Sequence, residues 1–108
     1  MLLAGHCLVE CYSVLTRLPA PLRISGEAAV RMIRDGVVSR GTVIGIRAED
    51  YVRLLERSSA RRVTGGRVYD ALIMAAARDA NADFVITFNR RHFEGLEPGV
   101  EVREPASA

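Results

Sequence analysis

Two short β-branched runs, TVIGI from Thr42 to Ile46 and FVITF from Phe84 to Phe88, restrict the fold more than anything else in the chain. Each is too short for a helix, and each is flanked by stretches whose apolar residues recur at helical spacing. Strands that alternate with helices are joined by crossovers, and crossovers make parallel pairs. The expected class is therefore α/β with a mainly parallel sheet. Ligands of such sheets gather beyond the carboxyl ends of the strands, so the residues just after FVITF are where chemistry is sought first.

The helical stretches have legible ends. His6 to Leu18 holds Leu8, Val9, Tyr12, Val14 and Leu15 at its mainly apolar positions, and Pro19 and Pro21 stop it. A second helix runs from Gly26 to about Arg34, with Ser25 as N-cap and Gly36 past its end. Ala48 to Arg61 forms a third, with Tyr51, Leu54 and Leu55 facing inward, and the Gly65-Gly66 pair separates it from a fourth over about Arg67 to Ala80. FVITF follows as a buried strand. A short turn at Arg90 to Phe93 and a weak strand near Val100 to Arg103 complete one domain over residues 1–105, leaving 106–108 as a frayed tail.

Composition excludes some functions. No window approaches the roughly 18 unbroken apolar residues of a membrane span, and MLLAGHCLVE lacks the basic start of a signal peptide. Cys7 and Cys11 share a helical face without a second pair, so two reduced core thiols are expected rather than a zinc site with His6, and the protein is expected to be cytoplasmic. All 15 basic residues are Arg; a biased source genome accounts for that. Arginine forks nevertheless bind phosphate in pairs of hydrogen bonds and stack on bases, so the surface suits RNA or an acidic protein. The net charge of +2 is too small to establish either. Three Tyr, three Phe and no Trp are few for an extended base-stacking surface.

Asp70 heads the fourth helix and Asn89 follows FVITF, so a crossover can bring their neighbourhoods together. Glu10 sits in an otherwise apolar helix. If the three converge, two carboxylates and an amide oxygen form a hard donor set suited to Mg²⁺ or Mn²⁺. Such an ion can activate water and clamp a phosphate oxygen, which is a phosphodiesterase design. Each residue also has a plain structural role: Glu10 as a rim residue, Asp70 as a charge complementing its helix N-terminus, Asn89 as a turn former. Asp79 and Asp83 read as solvated loop acids, Arg90-Arg91 as a solvated turn, and Gly65-Gly66 as a loop lacking phosphate-binding spacing.

Taken together, AGHCLVECYSVLTRLP and VYDALIMAAARDANADFVITFNRRHF resemble the PIN domain, in particular the toxin ribonucleases of bacterial VapBC toxin–antitoxin pairs. The resemblance runs from about Ala4 to Arg103. It puts the family's second acidic position on Glu10, the third on Asp70 and the fourth on Asn89, where related domains sometimes carry Asn. It implies a three-layer α/β sandwich around a central parallel sheet and a metal-dependent endoribonuclease using Mg²⁺ or Mn²⁺. Glu10 and Asp70 would be its catalytic metal ligands, with Asn89 bound directly or through water. Arg17, Arg67 and Arg90 would line the phosphate path. It further implies a homodimer held inactive by a VapB-like antitoxin.

One departure stands out. The family begins with a strand that carries its first acid, and no Asp precedes Asp35 here. A truncated or misassigned start, a decayed relative, or a strand supplied by another polypeptide would each account for it. A weak or inactive nuclease is one expectation. The other is a non-catalytic module that binds an antitoxin or itself through helices such as Ala48 to Arg61. A plain RNA-binding domain is a third, weaker reading.

Overall fold

The computed structural model describes residues 1–105, so the expected tail at 106–108 lies outside the described residues. The chain divides into two compact units, Met1–Ile44 and Gly45 onward.

In the first unit, strand β1 (Leu2–Ala4) leads straight into helix α1 (Gly5–Thr16). Helix α2 (Gly26–Gly36), a 3-10 turn (Val38–Arg40) and strand β2 (Thr42–Ile44) follow. The two strands pair in parallel, Leu2 opposite Thr42 and Ala4 opposite Ile44, as a connection through helices requires. β1 is an addition to the sequence-based expectation. Its three residues are too few to show alternation, and pairing with β2 defines it. Gly41 lets the chain pass close: a Cβ there would lie 2.6 Å from the Met1 carbonyl oxygen.

α1 stops earlier than Pro19 demands. Thr16 Oγ1 donates back to the Tyr12 carbonyl at 2.8 Å, and Arg17 is the C-cap. α2 opens as expected, with Ser25 Oγ accepting from the Ala28 N–H at 3.1 Å. The helices approach closely at Gly26, where a Cβ would lie 2.7 Å from Tyr12 Oη. Ala29 is fully buried, but α1 buries no residue completely. Cys7 and Cys11 are not disulfide-bonded, but they are exposed rather than in a core. Both lie on a helix with no fully covered face.

The second unit contains α3 (Asp50–Ala60), α4 (Arg67–Asp79), β3 (Phe84–Ile86), α5 (Arg90–Phe93) and β4 (Glu101–Arg103). β3 and β4 are parallel, with Phe84 opposite Glu101 and Ile86 opposite Arg103. The α/β class and parallel pairing expected from the two β-branched runs are both present. The core joins Met74 and Ala77 of α4 to Val63, Phe93, Leu96, Val100 and Val102.

Both long helices end on a left-handed residue. At the end of α4, Asn81 has φ 56°. Its N–H donates to the Arg78 carbonyl at 3.0 Å, and the Ala82 N–H to the Ala77 carbonyl at 2.9 Å, a Schellman closure. At the end of α3 the same closure falls on Arg62, φ 59°, before the chain reaches Gly65. Arginine there costs roughly 1–2 kcal/mol of backbone strain.

Two burial expectations need correcting. Tyr51 and Leu55 of α3 are exposed, and only Leu54 is half-buried. FVITF is not a buried strand either. β3 pairs along one side with β4, and successive side chains leave on opposite faces. Val85 packs on the core, Phe84 is capped by the Arg103 guanidinium 3.9 Å from its ring centroid, Ile86 is half-exposed and Phe88 is 87% exposed.

The loop between α5 and β4 is fastened by charge. Glu97, its side chain 11% exposed, accepts from Arg78 Nη1 at 3.3 Å and pairs with Arg57 Nη2 at 3.6 Å. Arg61 Nη1 donates to the Leu96 carbonyl at 2.7 Å. Among the described residues no buried side-chain polar atom lacks a partner.

Candidate functional site

Helix α1 carries Glu10 two turns into the first unit, on an exposed stretch. His6 stands one turn earlier, and its Nε2 is 2.6 Å from Glu10 Oε1. An i, i+4 pair of this kind stabilises its helix by about 0.2–0.5 kcal/mol. The sequence reading assigned no partner to His6. The spacing H-x-x-x-E on a helix is the signal that reveals it.

Asp70 lies in the first turn of α4, half-buried, where a negative charge complements the helix N-terminus. Asn89 follows β3 and precedes α5. Its side chain makes no capping bond. Its backbone is held on both sides: the N–H donates to Thr87 Oγ1 at 3.0 Å, and the carbonyl accepts from the His92 N–H at 2.9 Å. Thr87 is itself tied to β4 through its N–H, which donates to the Arg103 carbonyl at 2.9 Å.

The path of the chain relates Asp70 to Asn89. α4 runs about 15 Å from Asp70 to its C-terminus. The chain then turns at Asn81 and passes through the three residues of β3 before Asn89. The start of α4 and the exit of β3 both belong to the second unit. Glu10 belongs to the first unit. Within neither unit, among the described residues, do three or more His, Cys, Asp or Glu side chains gather into a metal-holding group.

The three arginines differ in what they can offer a phosphate. Arg17 caps α1 and Arg67 begins α4, both exposed. Arg90 is committed, its Nε 2.6 Å from Glu94 Oε1. Sequence reasoning also passed over Phe88, whose exposure no hydropathy pattern announces. No helix among the described residues is long and apolar enough to cross a membrane.

Comparison with known proteins bears on this arrangement. The PIN domain matches residues 1–96. A Mycobacterium tuberculosis (strain ATCC 25618 / H37Rv) protein named Ribonuclease VapC27 is 38% identical over 81 residues, covering 75% of this chain and 57% of its own. One named Ribonuclease VapC40, from Mycobacterium tuberculosis (strain CDC 1551 / Oshkosh), is 39% identical over 95 residues, covering 88% of this chain and 69% of its own. The chain thus spans 57% to 69% of the length of these relatives. No solved structure matches.

Proposed function

The chain belongs to the PIN domain family, and on that premise we propose that it is a divalent-metal-dependent endoribonuclease of the VapC toxin type. One observation carries this function: the family match over residues 1–96, together with 38–39% identity to proteins named ribonucleases.

The chain's donors suit the ion such a reaction uses. Glu10, Asp70 and Asn89 offer oxygen ligands, those of Glu10 and Asp70 on carboxylates, which is what Mg²⁺ or Mn²⁺ selects. The Asn89 side chain is not spent on capping α5. A bound divalent ion would supply Lewis acidity to activate water and positive charge to offset that of the scissile phosphate. Glu10 and Asp70 are the proposed ligands, with Asn89 bound directly or through water. His6 is a positioning residue. Its contact at 2.6 Å engages one oxygen of the Glu10 carboxylate, Oε1, and leaves the second for a ligand. Arg17 and Arg67 are the proposed phosphate contacts. Arg90, bound to Glu94, has less charge to lend.

The test is cleavage of RNA by the whole chain with Mn²⁺, with Mg²⁺ and with EDTA, beside Asp70→Asn. Metal-dependent cleavage that disappears in Asp70→Asn is the expected result. Cleavage that survives in Asp70→Asn would sink the carboxylate mechanism.

A second reading has its own observation. On α3, Tyr51 is 48%, Val52 66% and Leu55 57% exposed, an apolar ridge on a helix otherwise lined with charge. Such a ridge suits a protein partner, either a VapB-like antitoxin or a second copy forming a homodimer, with the catalytic role weakened or lost. A cytoplasmic protein with an RNA substrate and no membrane contact fits both readings. Binding of a partner that persists in Asp70→Asn, without any cleavage by the unmutated chain, would favour the second.

A further inference from the structure

We propose that Phe88 is the stacking platform for one unpaired base of the RNA, with Arg91 taking an adjoining phosphate; this rests on the ribonuclease function proposed above. The chain has three Phe, and two are accounted for by structure. Phe93 is in the core and Phe84 lies beneath the Arg103 guanidinium. Phe88 packs on nothing comparable and stands 87% exposed, the most exposed large apolar side chain among the described residues.

Its exposure is built into the turn. The Thr87 N–H is fastened to Arg103, Thr87 Oγ1 receives the Asn89 N–H, and the Asn89 carbonyl receives the His92 N–H. Residue 88 is the apex of that hydrogen-bonded turn, so its ring is projected outward from backbone that is already ordered. A platform held this way loses little freedom on binding.

The surroundings select nucleic acid over protein. Asn89, Arg90, Arg91 and His92 are all exposed and polar. The centre of a protein interface is a packed, largely apolar patch, and here exposed Ile86 is a single aliphatic neighbour along the strand rather than a patch. An aromatic ring beside arginine is instead the usual equipment for an unpaired base, because every base has a π-face and every nucleotide a phosphate. Arg90 is bound to Glu94, while Arg91 is exposed and has no acidic partner among the described residues. The phosphate contact therefore falls to Arg91. Asn89, a proposed metal ligand, adjoins Phe88 in sequence, so a base stacked there would lie next to it.

The chain contains no Trp, so Phe88→Trp is a single fluorescent reporter at the proposed contact. The whole chain would be titrated with a short unstructured oligoribonucleotide in EDTA, and again with Mn²⁺ in the Asp70→Asn background. Saturable quenching of Phe88→Trp is expected. Phe88→Ala should bind about 5- to 150-fold more weakly at the same salt concentration, the range for losing one stacked base. Arg91→Ala should flatten the salt dependence by roughly one phosphate's share. Because Phe88 is exposed, Phe88→Ala should melt at the unmutated temperature, which separates loss of contact from loss of fold.

Equal affinity of Phe88→Ala and the unmutated chain would overturn the stacking role and leave the ribonuclease function standing. No RNA binding by the folded, unmutated chain would overturn both. Emission that ignores RNA but shifts to the blue with rising protein concentration would show that a second copy covers Phe88, and the proposal would be wrong.

Discussion

Removing the Glu97 carboxylate should loosen the segment that follows α5, and its cost can be worked from the contacts. Glu97 is 11% exposed, and Arg78 donates to both its oxygens, at 3.5 and 3.3 Å. The Arg57 contact at 3.6 Å is too long for a hydrogen bond and counts as charge alone. Burial pulls the Arg78 pKa down, but its hydrogen bond to Asp79 and the charges of Glu97 and Asp79 outweigh it, so the group ends above its ordinary value. A charge-assisted hydrogen bond contributes about 1.5–3 kcal/mol. Both arginines are more than a third exposed, so solvent screens the pair and the figure falls to roughly 1–2 kcal/mol. Glu97→Gln keeps the shape and removes the charge. With a urea m-value of about 2 kcal/mol/M, the midpoint should drop by roughly 0.5–1 M at unchanged slope. Arg78→Gln should cost a similar amount, less whatever its bond to Asp79 contributes. The double variant should lose clearly less than the sum, because the two changes break one interaction. Strict additivity, or a shift near zero in low salt, would refute the clasp.

Two further outcomes test other parts of the second unit. Met74 is 1% exposed at the centre of the core, so Met74→Ala should cost about 2–5 kcal/mol, read as a lowered urea midpoint; a smaller loss would mean the core collapses around the gap. Glu101 titrates below the ordinary glutamate value, first because Arg103 donates two hydrogen bonds to its ionised form, each at 3.0 Å. The depressed folded value means the pair's contribution is present above the unfolded carboxylate pKa and fades as pH falls through the lowered one. Carboxyl NMR should find the Glu101 midpoint below the usual range and returned to it in Arg103→Met; an unchanged midpoint would remove Arg103 as the cause.

Much of the fold was legible because its elements announce their own ends. The helix over Arg67 to Ala80 appears as α4, Arg67–Asp79, and the β-branched runs are parallel strands. What was not legible depended on contacts distant in sequence or on single hydrogen bonds. β1 is defined by Thr42–Ile44, some 40 positions away, and its three residues hold no period of their own. The ends of α3 and α4 rest on left-handed Arg62 and Asn81, where nothing but Asn hinted at the conformation. At the site, Asp70 and Asn89 were legible as element termini, whereas the His6–Glu10 contact was only a spacing until a helix made it a pair. The expected inward face of α3 went wrong because apolar content was taken for burial. Tyr51 and Leu55 match the period and still face solvent.

The three phenylalanines show why a hydropathy pattern alone could not separate structure from function here. Phe84, Phe88 and Phe93 lie within ten positions and carry the same side chain. Alternation along β3 puts Phe84 on the face opposite Val85, where Arg103 covers it. The single turn of α5 swings Phe93 into the core. Continued alternation would return Phe88 to the face of Phe84, but β3 ends at Ile86, before Phe88 could be covered. The Thr87–Asn89 hydrogen bond then turns the backbone around residue 88 and leaves the ring in solvent. Burying a Phe ring is favourable by about 1.5–3 kcal/mol, so a ring kept out of the core by an ordered turn forgoes that stabilisation unless another molecule covers it. The same hydrogen bond sets the backbone of Asn89, a proposed metal ligand. Losing the Thr87 hydroxyl would therefore disturb the metal side and the base side of the proposed site together, whereas losing the Phe88 ring would disturb the base side alone.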